Sequence, residues 1–144
     1  MEKTDTIKLL QECDAGSKMA VTSIDELLDK VSDPELASLL EESKKHQEKL
    51  GNDLHSMLNH KESDEKEPNP MAKGMSKMKT GMKLSMQETD ATIADLMTDG
   101  CNMGVKSLSR YLNQYKAADE VSKDIAKRLI KQEDQLILNA RPYL

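Results

Sequence analysis

The 144 residues of the chain suit a single domain that can bury a core without disulfides or a structural metal. Phe and Trp are absent and ten residues are Met, so the core must be largely aliphatic, which favours helices over sheets. A net charge of −5 argues against nucleic acid as a partner, since that binding depends on clustered Lys and Arg.

The first helix is predicted over residues 4–31, and its apolar stripe has a polar break in the middle. The stripe consists of Ile7, Leu10, Asp14, Ser17, Val21, Ile24, Leu28 and Val31. An unpaired charge that faces a bundle interior is strongly unfavourable. The break therefore indicates either a ligand site or a set of polar partners that neutralise Asp14.

The second helix is predicted over residues 34–59, after a capping Asp33 and a Pro34 that is typical of a first helical turn. Its stripe consists of Leu36, Leu39, Ser43, His46, Leu50, Leu54 and Met57. This stripe also turns polar at its middle. Residues 61–70 are charged and contain Pro, which predicts a flexible acidic linker because such a composition buries little apolar area.

A shorter helix is predicted over residues 71–87, with methionines on one face and lysines elsewhere. The methionine face consists of Met71, Met75, Met78, Met82 and Met86. Methionine is soft and adaptable, so this face is typical of a partner-binding surface, of a Cu(I) site, or of ordinary packing on the bundle. The basic charge also fits a membrane surface or an acidic partner.

Two further helices are predicted over residues 90–117 and 119–140. The first carries Ile93, Met97, Gly100, Cys101, Gly104, Leu108, Tyr111 and Tyr115 on its stripe, and the second Val121, Ile125, Leu129, Gln132 and Leu136. Gly100 and Gly104 predict a groove that another helix can approach closely. Cys13 and Cys101 are interpreted as buried thiols in a reducing compartment, with a redox pair as the alternative.

These elements predict an all-α bundle of four long helices with an additional short crossover helix. As a helix, residues 71–87 cover roughly 25 Å, enough to carry the chain most of the way back along the bundle. The second long helix and the one that begins at Asp90 are then parallel, which is the ferritin-like topology. An up-down bundle with a fifth helix docked outside is the alternative.

Three stretches resemble an uncharacterised bacterial family of ferritin-like bundle proteins: residues 9–16 (LLQECDAG), 33–36 (DPEL) and 104–112 (GVKSLSRYL). Iron-binding members of the wider superfamily place carboxylates on all four helices and Glu-x-x-His on two. The resemblance puts Asp14 at the first-helix acid. The other positions depart from the pattern, because Gly104 replaces an acid and the last helix has no His. The resemblance therefore implies an incomplete di-iron site.

The polar breaks predict a layer across the middle of the bundle. If the first two helices turn near residue 32, Asp14 is level with Gly51, and Gly104 similarly faces Gln132. The candidate layer consists of Asp14, Ser17, Ser43, His46 and Gln132. It holds one metal ion, waters or a small polar ligand, or it is a hydrogen-bonded network that fixes register. No metal is expected; if one binds, the candidate ligands are Asp14, Glu42, His46 and Glu133.

The sequence contains no Gly-rich phosphate loop, no nucleophile beside a plausible base and no Cys-x-x-Cys spacing, so it does not support an enzyme. We expect a cytoplasmic, non-catalytic bundle without a cofactor. It acts by assembly, as a dimer or larger, or by binding a protein partner. The alternatives are a degenerate mid-bundle metal site, and a membrane-surface or acidic-partner binder that uses residues 71–87. No segment has the roughly 20 apolar residues that span a bilayer.

Overall fold

The computed structural model describes residues 2–61 and 89–144, and every regular element in these ranges is helical. The helices are α1 (Glu2–Leu28), α2 (Pro34–His60), α3 (Asp90–Gln114) and α4 (Glu120–Ala140), followed by a short 3-10 helix (Arg141–Tyr143). The predicted all-α architecture is confirmed. The predicted helix 71–87, with its methionine face, and linker residues 62–70 lie outside the described residues. None of the described helices has the length and hydropathy needed to cross a membrane.

Side-chain caps define where three of the helices begin. Asp33, Thr89 and Asp119 occupy the N-cap positions of α2, α3 and α4, and each accepts a hydrogen bond from a backbone N–H of the first turn. The predicted cap at Asp33 is confirmed, with Pro34 in the first turn of α2. α1 ends at Leu28, before the expected residue 31, where the Lys30 N–H bonds to the Leu27 carbonyl and closes a tight turn.

Hydrogen bonds between the turns establish the direction of each helix. The Asp90 carboxylate accepts from the backbone N–H groups of Ser32 and Asp33 at 2.9 and 3.0 Å, so α3 begins beside the α1–α2 turn. At the other end, Thr6 Oγ1 accepts from the Asp119 N–H at 2.8 Å. α2 and α3 therefore run in the same direction, and residues 61 and 89 lie at opposite ends of the bundle. This is not an up-down-up-down order.

The helices pack as two antiparallel hairpins, α1–α2 and α3–α4, with α1 also packed against α3 and α2 against α4. Their core consists of two separate apolar clusters. One, near the start of α1, contains Leu9, Leu10, Cys13, Leu50, Leu54, Leu58, Leu108, Ala118, Ile125, Ala126 and Leu129. The other, near the α1–α2 turn, contains Ile24, Leu27, Leu36, Leu40, Ile93, Leu96, Met97, Cys101 and Leu136. We call them the first and second apolar halves.

The buried stripe of α2 differs from the predicted one by a rotation of the helix. Its buried residues are Leu36, Leu40, Ser43, Gln47, Leu50, Leu54 and Leu58. Leu40, Gln47 and Leu58 are buried in place of the predicted Leu39, His46 and Met57. Each lies one residue later in the chain and therefore about 100° further around the helix. Both stripes keep a spacing of three and four residues, so the sequence pattern alone allows either, and packing against α1 and α4 selects the second.

In α4, the expected core residue Val121 is 67% exposed, and the neighbouring Ser122 is buried in its place. The buried side of α4 instead contains Ser122, Ala126, Leu129 and Leu136. Glu133 lies on the same side, between Leu129 and Leu136. The predicted stripe of α4 therefore began at the wrong residue, because Val121 is apolar but exposed.

Candidate functional site

A polar layer separates the two apolar halves at the middle of the bundle. In each helix, polar residues or a glycine stand between the residues of the first half and those of the second. The middle level consists of Ser17 in α1, Gln47 in α2, Gly104 in α3 and Glu133 in α4, and the buried polar residues Asp14 and Ser43 lie one turn away from it. The polar break predicted from α1 and α2 thus continues through all four helices, and we call the four residues of the middle level the polar layer.

Between α1 and α2, the polar layer is joined by a hydrogen bond. Ser17 Oγ donates to the backbone carbonyl of Gln47 at 3.0 Å, in a buried position. A Cβ atom at Gly51 would lie 3.1 Å from Ser17 Oγ, so the glycine permits this close approach. The predicted register, in which Asp14 is level with Gly51, places Ser17 level with residue 48 and agrees with this contact.

Asp14 lies one turn before Ser17 and is only 2% exposed. The Lys18 ammonium lies 3.2 Å from Asp14 Oδ2, although its angles are not those of a hydrogen bond. The charge of Asp14 is therefore balanced from within α1.

Between α3 and α4, the polar layer consists of a carboxyl group that packs over a glycine. A Cβ atom at Gly104 would overlap the carboxyl group of Glu133, so a larger residue there would have to displace the end of this side chain. Glu133 Oε2 is buried without a hydrogen-bond partner. Burial, and secondarily the charge of Asp134, raises the pKa of Glu133 from 4.5 to about 8. Near neutral pH this carboxyl group is therefore mostly protonated.

His46 and Gln132 form a bridge at the rim of the polar layer. His46 Nδ1 and Gln132 Oε1 are 3.2 Å apart, which joins α2 to α4. The two residues meet at the predicted level, but His46 is exposed because the buried stripe of α2 passes through Gln47. The placement of His46 inside the bundle was wrong. Ser43, by contrast, is buried one turn from Gln47.

Three buried oxygens at this level have no hydrogen-bond partner: Asp14 Oδ2, Gln47 Oε1 and Glu133 Oε2. Within the described ranges, no three His, Cys, Asp or Glu side chains come close enough together to hold a metal ion. Of the candidate ligands, Glu42 and His46 are exposed whereas Asp14 is buried. The buried carboxyl groups of Asp14 and Glu133 are not joined by a third ligand among the described residues, so these residues do not fit a di-iron centre.

The two glycines of α3 do not form the expected open groove. The position above Gly104 is filled by Glu133 from the same bundle. Gly100 is exposed, and a Cβ atom there would meet nothing within 4 Å. A partner helix therefore finds one accessible glycine on this face and not two.

Cys13 and Cys101 are both free and buried, as predicted. They belong to different apolar halves of the core, which argues against the alternative of a redox pair. Burial is the main cause that raises the pKa of each thiol to about 12. Both side chains therefore remain thiols and act as small apolar residues.

Sequence analysis missed Gln47 as a core residue and named Glu133 only as a possible metal ligand. A signal was available, because Gln47 continues the spacing of Ser43 and Leu50, and Glu133 that of Leu129 and Leu136. Comparison with known proteins found no matching family model, curated protein or solved structure. The interpretation of the polar layer therefore depends on its own geometry.

Proposed function

We propose that the chain is a non-catalytic, ferritin-like bundle that acts by self-assembly or by binding a protein partner. The parallel directions of α2 and α3 support the ferritin-like topology, since such bundles have one long crossover. The main support for a non-catalytic role is the contact between Glu133 and Gly104. The one carboxyl group of the polar layer packs against backbone where a metal centre would need a second acid.

The contacts of the polar layer favour a structural role for the bundle core. Ser17 bonds to Gln47 within one hairpin, and His46 and Gln132 link the two hairpins. Buried polar residues of this kind can fix the register of helices at some cost in stability. If the interior serves alignment, the function depends on the outer surfaces.

The described surface carries only dispersed large apolar side chains. They are Met103, Val121, Leu138 and Leu144. They lie on different helices or at different levels of the bundle, and single exposed apolar residues are normal on a protein surface. We therefore propose that assembly uses the predicted methionine face of residues 71–86, which lie outside the described residues.

Light scattering coupled to size-exclusion chromatography, over a wide range of protein concentration, tests assembly directly. We expect a dimer or larger species for the wild type. A variant with Met75→Ser, Met78→Ser and Met82→Ser should shift toward monomer, whereas the control Met103→Ser should match the wild type. A wild-type monomer at every concentration would contradict self-assembly.

Metal binding is the second candidate function, and it is favoured by the buried Asp14 carboxylate and by two buried oxygens without a hydrogen-bond partner, Gln47 Oε1 and Glu133 Oε2. Carboxylate and amide oxygens are ligands of hard cations. Elemental analysis of protein purified without chelators tests this candidate. It requires stoichiometric metal in the wild type, with loss in Glu133→Gln and in Asp14→Asn. Metal at background level in the wild type would exclude it, and stoichiometric metal would contradict the metal-free proposal.

A further inference from the structure

We infer that the polar layer is the plane at which the bundle opens locally, while the two apolar halves stay packed on either side. The middle of each helix would then be less protected than the segments that flank it. This inference concerns the motion of the fold, and it does not depend on assembly or partner binding.

The two hairpins are tied to each other at both ends of the bundle. At one end Asp90 accepts from Ser32 and Asp33, so the start of α3 is held to the α1–α2 turn. At the other end, the α3–α4 turn is held to α1 by hydrogen bonds from Ala117 to Asp5 and from Asp119 to Thr6. An opening that begins by separating the ends must break these contacts first.

Between the tied ends, the two apolar halves resist opening through buried aliphatic side chains. Leu9 and Leu54 in the first half and Leu40 and Ile93 in the second are all completely buried. Exposing one such side chain to water is unfavourable in proportion to its apolar area. Each half therefore loses much apolar burial if its helices separate.

In the polar layer, by contrast, opening is favoured by hydration, because water can reach polar groups that lack hydrogen-bond partners in the closed bundle. Gln47 Oε1 and Glu133 Oε2 are buried polar atoms without a hydrogen-bond partner, and keeping such groups from water is unfavourable. The His46–Gln132 contact, which joins the hairpins at this level, lies at an exposed position. Water entering here satisfies acceptors and exposes little apolar surface.

Glycines weaken the helices themselves near this level. Gly16 lies beside Ser17, Gly51 contacts Ser17 from α2, and Gly104 belongs to the polar layer. A glycine in a helix interior is less favourable than alanine, because it loses more conformational freedom on folding. Gly16 has no neighbour that would exclude a side chain, so packing alone does not explain it.

Hydrogen–deuterium exchange on the full wild-type chain, read by NMR or by mass spectrometry of peptides, tests the inference. We expect amides in residues 43–50 and 101–107 to exchange at least about tenfold faster than those of residues 36–40 and 54–58, since a difference of 1.4 kcal/mol is tenfold. Helices normally show the reverse, with frayed ends and protected middles. Greatest protection at the level of Gln47 and Gly104 would overturn the inference.

A leucine in the polar layer tests whether its polarity causes the opening. In Gln47→Leu and in Glu133→Leu the central minimum of protection should shrink by about tenfold. Gln135→Leu, an exposed position of the same α4, should leave the wild-type pattern unchanged. A minimum that persists in Gln47→Leu would contradict the role of the polar layer, and this variant decides the matter even if Glu133→Leu fails to fold.

Discussion

The two apolar halves of the core are held by aliphatic packing, whereas the polar layer between them is held by a few specific contacts. In the halves, completely buried residues such as Leu54 and Leu40 contact neighbours on several helices. In the polar layer, Ser17 bonds to a backbone carbonyl and Glu133 packs over Gly104. The comparison indicates that the halves supply stability and that the polar layer supplies alignment.

The largest expected difference between these regions is the response to truncation of one side chain. Leu54→Ala in the first apolar half should lower the free energy of unfolding by about 2–5 kcal/mol, since it leaves a cavity. Ser17→Ala removes one hydrogen bond and should cost only about 0.5–1.5 kcal/mol. Urea denaturation measures both values. Equal costs would mean that the polar layer contributes as much stability as the apolar halves.

The next effect separates the two glycines of α3. Gly104→Ala should destabilise the bundle by about 1 kcal/mol, at the low end for overpacking, because the new methyl group must displace the Glu133 carboxyl group at the end of a flexible side chain. Gly100→Ala is the matched control, since it meets no atom within 4 Å and should stabilise the helix by about 0.5–1 kcal/mol. Thermal denaturation of both variants gives the comparison. A stabilised Gly104→Ala variant would show that no close contact exists.

Much of the fold follows from local sequence signals. The cap at Asp33 and Pro34 separates α1 from α2, and the acidic, Pro-containing stretch after Lys61 separates the two hairpins. The spacing of Ile93, Met97 and Leu108 identifies the buried side of α3. These signals depend on residues close together in the chain, so a single sequence contains them.

The polar layer was only partly predictable because it depends on how four helices are rotated against one another. Asp14 and Ser17 were identified from the stripe of α1 alone, whereas His46 was predicted in place of its buried neighbour Gln47. Both residues fit a three-four spacing, and the choice depends on contacts from other helices. The contact between Glu133 and Gly104 was not predicted for the same reason. Glycine has no side chain, so it adds nothing to the apolar pattern of α3.

A smaller effect concerns pH. The folded chain holds a proton on Glu133 that the unfolded chain releases near pH 4.5, because burial raises its pKa to about 8. The stability from this group is fully present below about pH 4.5 and is lost as the pH rises through about 8. Glu133→Gln keeps the shape of the side chain without the proton equilibrium. Its unfolding free energy should therefore fall less than that of the wild type across this window.

Denaturant unfolding at a series of pH values measures this difference, with Glu48→Gln as an exposed control. The control should follow the wild type. Parallel curves for the wild type and Glu133→Gln would mean that the Glu133 carboxyl group is well hydrated in the folded protein. That result would remove the contrast between the polar layer and an ordinary exposed surface.

The most direct test of the polar layer is a double-mutant cycle between Gly104→Ala and Glu133→Ala. The close contact predicts that Gly104→Ala destabilises the wild type but stabilises the Glu133→Ala variant, by about 0.5–1 kcal/mol, because alanine is the better helix former once the carboxyl group is gone. If Gly104→Ala has the same effect in both backgrounds, Glu133 does not pack over Gly104, and the account of the polar layer is wrong.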